Sequence, residues 1–373
     1  MADVDKDLRG NIGDLSELYV LVSLLAKGQV EVIDADGNPA GRFIKILGAS
    51  RSEATGTVKI ERGVEELLST RDDASQKLYK ISDLESDSQS LLEEMQDPYN
   101  KTKGKGVLCP SVARIVDGLQ LDGLKAKSSD KADVYLKIAD PFSVDGTRKA
   151  GFTVKSYLSE LPTLVNAGAT IFVYQVEGLT PEQEVTASGL KHKELVRWLT
   201  NLPEVTVRFL NVEDEVFEDN LAMIDLQFGS VLAAALLSGY RVVGGQLSRV
   251  LKDQFFVASL PSIVGRKNPI RYARNQLRNY LKQSALGMQP SEVWLGDNEV
   301  SGGAIIMDKS GSVHCLCLDL DEDFKGFLFD HCKFDTPSGG RHGVGELSKT
   351  ASGTVQLKLS LQIRFCAKET LRK

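Results

Sequence analysis

Two short runs, "ADVYLKIAD" (132–140) and "GFTVKS" (151–156), put an acid and a lysine within reach of one another across a hairpin. Side chains alternate faces along a strand, so Asp133, Tyr135 and Lys137 share one face, and Thr153 and Lys155 share another. If the strands pair antiparallel with Tyr135 opposite Thr153, Asp133 stands directly across from Lys155. Phosphodiester hydrolysis needs a hard cation to polarise the phosphate and activate water, with a charge or base to assist. Magnesium takes one or two carboxylates and fills its octahedron with water and substrate oxygens. An acid facing a lysine, with room for phosphate between, supplies most of these parts. Asp140 is the rival acid, but it sits at the turn end, roughly 13 Å from Lys155 at about 3.3 Å per residue. The same Asp133–Lys155 pair also describes a cross-strand salt bridge on a solvated face, and spacing alone does not separate the two.

Other clusters suggest binding rather than chemistry. "PSGGRHGVG" (337–345) is a glycine-rich loop carrying Arg341 and His342, without the lysine and spacing of a nucleotide-binding P-loop. Arginine can pair with guanine in the major groove, so Arg341 and His342 are candidate DNA contacts, with a plain turn as the alternative. A basic helix over 268–288 carries Arg271, Arg274, Arg278 and Lys282, preceded by Arg266 and Lys267; it suits phosphate or simply solvent. Lys103 and Lys105 in "NKTKGKG" (100–106) share that ambiguity, with disorder as the alternative. His314, Cys315, Cys317, His331 and Cys332 lack the spacing of a zinc site, and are expected to be core residues rather than ligands.

These groups need a scaffold. "DLSELYVLVSLLAK" (14–27) predicts a helix with Leu15, Leu18, Val22 and Leu25 on one stripe, Asp14 as N-cap and Gly28 as stop. Strand, turn and strand follow over 29–51. Residues 64–100 are acidic and expected to be helical. Strands are expected at 132–139, 151–157 and 169–178, helices at 180–203, 218–240 and 268–288, and a strand-rich stretch from about 290 that includes "EVWLG" (292–296). The pattern is α+β, with a core over 1–180, a helical region over 181–288 and a β-rich region over 289–373. The net charge of −6 argues against a passive nucleic-acid coat, yet leaves room for a local basic cleft. The charged N-terminal stretch does not read as a signal peptide, and "GSVLAAALLSGY" (229–240) is too short to span a bilayer. Together with five cysteines that form no disulfide framework, this suggests a protein of a reducing cytoplasm.

Several collinear stretches resemble the HpaII family of type II restriction endonucleases, and the hairpin resembles the PD-(D/E)XK nuclease motif. They are "GDLSELYVLVSLLAKGQV", "SSDKADVYLKIADP", "GFTVKSYLSELPTLVNAGATIFVYQ", "EVWLGDNEVSGGAIIMDKSG", "FDTPSGGRHGVGEL" and "LKLSLQIRF", spread over residues 11–365 with a poorly matching middle. The resemblance implies a PD-(D/E)XK core in which a mixed sheet is flanked by helices. It also implies a Mg2+-dependent enzyme cutting both strands of double-stranded DNA at a short sequence, of the CCGG type. Asp133 would be the metal-binding acid and Lys155 the catalytic lysine, stabilising developing negative charge and orienting water. The superfamily expects an acid two residues before that lysine, where this chain has Thr153. The second carboxylate is then expected from Glu17 on the first helix, with Glu160 and Glu177 as weaker rivals. A homodimer and a companion DNA methyltransferase in the same cell are also implied. A DNA-binding protein without catalysis, or an interaction protein with a salt-bridged hairpin, are the competing classes.

Overall fold

The computed structural model describes residues 9–102, 106–126, 132–158, 161–298, 300–337 and 344–367. Elements run in chain order as β1 (Arg9–Gly10), α1 (Ile12–Lys27), β2 (Gln29–Ile33), β3 (Pro39–Glu53), β4 (Gly56–Arg62), β5 (Glu66–Arg71) and β6 (Gln76–Lys80). Next come α2 (Ile81–Gln96), β7 (Lys101–Thr102), β8 (Gly106–Leu108), α3 (Ser111–Gly118), β9 (Val134–Ala139) and β10 (Thr147–Ser156). The middle of the chain holds β11 (Thr163–Val165), β12 (Ile171–Glu177), α4 (Pro181–Ser188), α5 (His192–Asn201), β13 (Thr206–Val212), α6 (Glu215–Ile224) and α7 (Phe228–Arg241). It continues with α8 (Leu247–Val250), α9 (Gln254–Val264) and α10 (Pro269–Ala285). The last third contributes β14 (Gly303–Met307), β15 (Val313–Cys317), α11 (Asp321–His331), β16 (Cys332–Phe334), β17 (Leu347–Lys349), β18 (Val355–Ser360) and β19 (Ile363–Phe365).

Two compact units divide this chain: Met1–Glu160 with Asn298–Phe324, and Leu161–Asp297 with Lys325–Lys373. The partition differs from the three regions expected from sequence. β12 falls in the second unit, while β14 and β15 join the sheet of the first. The reason is parallel pairing: β14 lies parallel to β10, and a parallel neighbour requires a long crossover that sequence order conceals.

In the first unit, nine strands run in the order β2-β15-β14-β10-β9-β3-β4-β5-β6, and β2 also pairs with β3. That extra pairing closes six strands into a barrel, with β4, β5 and β6 extending from it. The 15-residue β3 makes closure possible, pairing with β2 through its first half and with β9 and β4 through its second. Its register with β9 shifts between Ile46 and Gly48, and a side chain at Gly48 would collide with the Ile60 carbonyl oxygen.

α1 is apolar nearly all round, with Leu15, Leu18, Tyr19, Val20, Leu21, Val22, Leu24 and Leu25 buried. Such a helix must be covered on more than one side. α1 packs against α2 and against β2, β3 and β10 of the barrel. It ends where expected, at a left-handed Gly28 whose N–H donates to the Leu24 carbonyl. The N-cap is Asn11 rather than Asp14: the Asn11 side chain accepts from the Asp14 N–H, which places Asp14 inside the first turn.

Two further expectations are corrected. Of the acidic 64–100 segment, 81–96 is α-helical and 98–100 makes a single 3-10 turn; β5 and β6 precede them. Leu67 and Ser69 alternate inward along β5, and Glu66 pairs across with Lys80, so a period of two outweighs acidic composition. "EVWLG" (292–296) forms no strand but an extended loop, pinned through the buried Asn220.

The second unit holds two sheets, β13-β12-β18-β17 and β11-β19-β16, packed with helices. Its core is aromatic, with Phe172 edge-on to Phe217 at 6.1 Å. α7, with Val231 through Tyr240 buried, is the interior helix expected from "GSVLAAALLSGY". All five cysteines are buried and none is in a disulfide. No single helix among the described residues is long and apolar enough to cross a membrane.

Candidate active site

The β9–β10 hairpin forms with its faces as expected and its register shifted by two. Tyr135 lies opposite Gly151 and Val134 opposite Phe152, and the Asp133 N–H donates to the Phe152 carbonyl. Asp133 therefore faces Thr153, and Lys155 is its diagonal neighbour on the same face, still within reach of a long side chain. The shift follows from the turn. Asp140 and Gly146 close it, and Asp140 accepts from the Phe142 N–H and pairs with Arg148 at 3.4 Å, so the strands begin to pair nearer the tip than symmetric counting assumes. Asp140 is thereby a turn-forming residue. Lys137 pairs with Glu61.

Asp133 is held at the mouth of the hairpin, where its Oδ2 accepts from the Val154 N–H at 2.6 Å. α1 brings Glu17 to the same place. The helix is tied to β10 by Ser16, whose hydroxyl donates to Ser156 Oγ at 2.9 Å. Glu17 and Asp133 line one small recess, together with Ser50, Arg51, Leu124 and Tyr135. Lys155 does not line the recess, but its charge acts on both carboxyl groups.

Burial dominates the electrostatics. It pushes the Glu17 carboxyl up to about 7, helped by the negative charges of Asp133 and Asp14 and opposed by Lys155 and Arg51. Burial also raises Asp133, against the pull of Lys155 and of the Val154 N–H. Two desolvated carboxyl groups sharing a recess resist carrying two negative charges, so they titrate as a coupled pair. A hard divalent cation would relieve that repulsion, and two carboxylate oxygens are ligands it accepts. Among the described residues no group of three or more His, Cys, Asp and Glu side chains is placed to hold a metal, so water and phosphate would complete its shell.

Arg51 is the residue that sequence reasoning missed. It is buried on β3, pairs with Glu53 at 3.2 Å and donates to the Leu124 carbonyl, which fixes the loop lining the recess. The available signal was "SRSE" in a strand: an Arg and a Glu two apart share a face, and a buried face tolerates them only as a pair. Thr153 is buried and adds no carboxylate. Glu177 lies exposed at the end of β12 in the second unit. Glu160, Arg341, His342, Lys103 and Lys105 fall outside the described residues.

In the second unit, α10 starts from an Asn268 cap and buries Ala273, Leu277, Tyr280 and Leu281. Its other face, with Arg271, Tyr272, Arg274 and Arg278, lines a groove of about 1120 Å³ that Arg266 also borders. The basic helix expected from sequence thus forms a concave cationic surface.

The first unit thus pairs two carboxyl groups beside a lysine-bearing strand of a mixed sheet, and the second carries a cationic groove. The chain matches the HpaII restriction endonuclease family over residues 11–365, and it belongs to that family. It is 28% identical over 368 residues to the type II restriction enzyme HpaII of Haemophilus parainfluenzae, covering 95% of this chain and 98% of the relative. No solved structure matches. The protein is accordingly a site-specific endonuclease of the type II restriction class.

Proposed function

We infer that this chain hydrolyses phosphodiester bonds in both strands of double-stranded DNA, at a short sequence of the CCGG type, with Mg2+ held by Asp133 and Glu17. One observation carries the reading: two carboxyl groups from distant parts of the chain converge in one recess, with the Lys155 charge acting on both. The metal would polarise the scissile phosphate and lower the pKa of the attacking water. Asp133 is set by the Val154 N–H, which leaves its second oxygen for a ligand. Glu17 gives up its proton when it serves as a ligand, since only the carboxylate coordinates. Lys155 offsets negative charge building on the phosphate oxygens and orients water.

The mixed sheet β3-β9-β10-β14, covered by α1, supports reading the scaffold as a PD-(D/E)XK core whose usual second strand acid is Thr153 here and is supplied instead by Glu17. Arg271, Arg274 and Arg278 contact phosphates and contribute salt-dependent affinity without reading sequence. Arg341, His342, Lys103 and Lys105 remain proposed DNA contacts. Cutting two strands at a palindrome favours a homodimer with one active site per strand, and the host cell needs a companion methyltransferase. The protein acts in the cytoplasm. Incubation with plasmid DNA and magnesium, followed by sequencing of the ends, tests this. Discrete cuts at one short sequence are expected; intact plasmid with tight DNA binding would point instead to a binding protein on a nuclease scaffold.

A further inference from the structure

Four large apolar side chains stand in solvent on two adjoining segments of the second unit. Met223 (58% exposed) and Leu226 (90%) belong to the end of α6 and the turn after it; Val293 (69%) and Leu295 (77%) belong to the loop after α10. A side chain added at Gly296 would touch the Met223 methyl group at 3.9 Å, so the two segments are neighbours.

Neither segment is loosely held. The buried Asn220 donates to the carbonyls of Gln289 and Glu292 and accepts from the Trp294 N–H, and the Trp294 indole donates to Asp297. In the α6–α7 turn, Asp225 accepts from the Gln227 N–H through one oxygen and from the Tyr272 hydroxyl through the other. The backbone is thus fixed while its apolar side chains are left uncovered. A contiguous apolar patch on a rigid support marks a binding surface.

The Asp225–Tyr272 bond also locates the patch, because Tyr272 lines the arginine groove of α10. Arg271 and Arg274 in that groove are exposed, and Arg274 lies over the Phe329 ring at 5.5 Å. Apolar tips beside exposed guanidinium groups complement a nucleic acid: cations take the phosphates, and an apolar side chain between base pairs replaces lost stacking. Phe142 and Val144, exposed at the tip of the β9–β10 hairpin, lack this setting because Asp140 and Asp145 build their turn. We propose that Leu226, backed by Met223, Val293 and Leu295, is a wedge that enters a base step of duplex DNA whose phosphates lie along α10. The proposal rests on reading the groove as a phosphate site, and the experiment separates the two.

The probe is a duplex carrying the sequence that the enzyme cleaves, with 2-aminopurine at successive positions, bound in calcium so that the strands stay intact. The native protein is expected to raise the fluorescence at least threefold at one step. Leu226→Ala and Leu226→Ala/Leu295→Ala should return it to near the free-duplex value with about tenfold weaker binding or less, and Leu226→Met should restore it. No rise at any step, or an unchanged rise in both variants, overturns the wedge. So does loss of a dimer in sedimentation with the fluorescence rise retained, which would assign the patch to a second copy. Arg271→Gln/Arg274→Gln tests the groove: unchanged affinity and salt slope remove the groove, while weaker binding with an unchanged signal in Leu226→Ala removes the wedge alone. Because Leu226 is almost wholly exposed, its truncation leaves the core untouched.

Discussion

The carboxylate recess and the arginine groove treat charge in opposite ways. In the recess, Glu17 and Asp133 are desolvated and forced together, and the Glu17 carboxyl rises to about 7. Along the groove, Arg271 and Arg274 are exposed on a helix whose other face is anchored in apolar core. Desolvation sharpens electrostatics for chemistry on one phosphate, at a cost in stability. Exposure keeps charges cheap to hold and able to exchange counterions, as affinity for a polyanion requires. On the proposed reading, chemistry and binding therefore draw on different physics in the two units.

Four measurements would break or sharpen that contrast. The largest effect is expected for Asp133→Ala and Lys155→Ala, each lowering cleavage by about a thousandfold or more, with specific DNA binding retained in a gel-shift experiment. Full activity in either removes the catalytic assignment. Glu17→Gln should follow, with cleavage down by roughly a hundredfold and the half-saturating magnesium concentration raised by about tenfold or more, the scale seen when a metal site loses support. A normal metal dependence would exclude Glu17 as a ligand.

Arg271→Gln/Arg274→Gln should weaken DNA binding about uniformly across sequences and reduce the slope of log affinity against log salt by about 2. A change confined to one sequence would show base reading instead. The smallest effect concerns stability without metal. Folded Glu17 keeps a proton to about pH 7, whereas the unfolded chain releases it near 4.5. The folded state therefore binds more protons in that window, and stability falls as pH rises from 4.5 to 7, then levels off. Glu17→Gln removes the penalty. In EDTA at pH 8 its midpoint in urea should exceed the native one by an amount worth about 3 kcal/mol, and the difference should vanish below pH 4.5.

Much of the first unit was legible because local rules agreed there. The apolar run ending at Gly28, the strand pairs around "DADGNPAG" and "DPFSVDG", and the shared face of Asp133 and Lys155 all follow from periodicity and turn chemistry. The hairpin register was not legible, since a turn clamped by Asp140 moved it by two. Nor was the strand pair at 66–80, where acidic composition masked the alternation of Leu67 and Ser69. Arg51 escaped because a buried ion pair in a strand looks like surface charge until both flanks of the strand are known to be covered.

The order of amino acids alone determined which residues could do chemistry, and which faces of α1, β9 and β10 they occupy, because these depend on local periods of 3.6 and 2. The tertiary structure decided that α1 delivers Glu17 to Asp133, that β14 runs beside β10, and that burial shifts the carboxyl groups. Convergence and desolvation arise from contacts between segments far apart in the chain, and no local period encodes them.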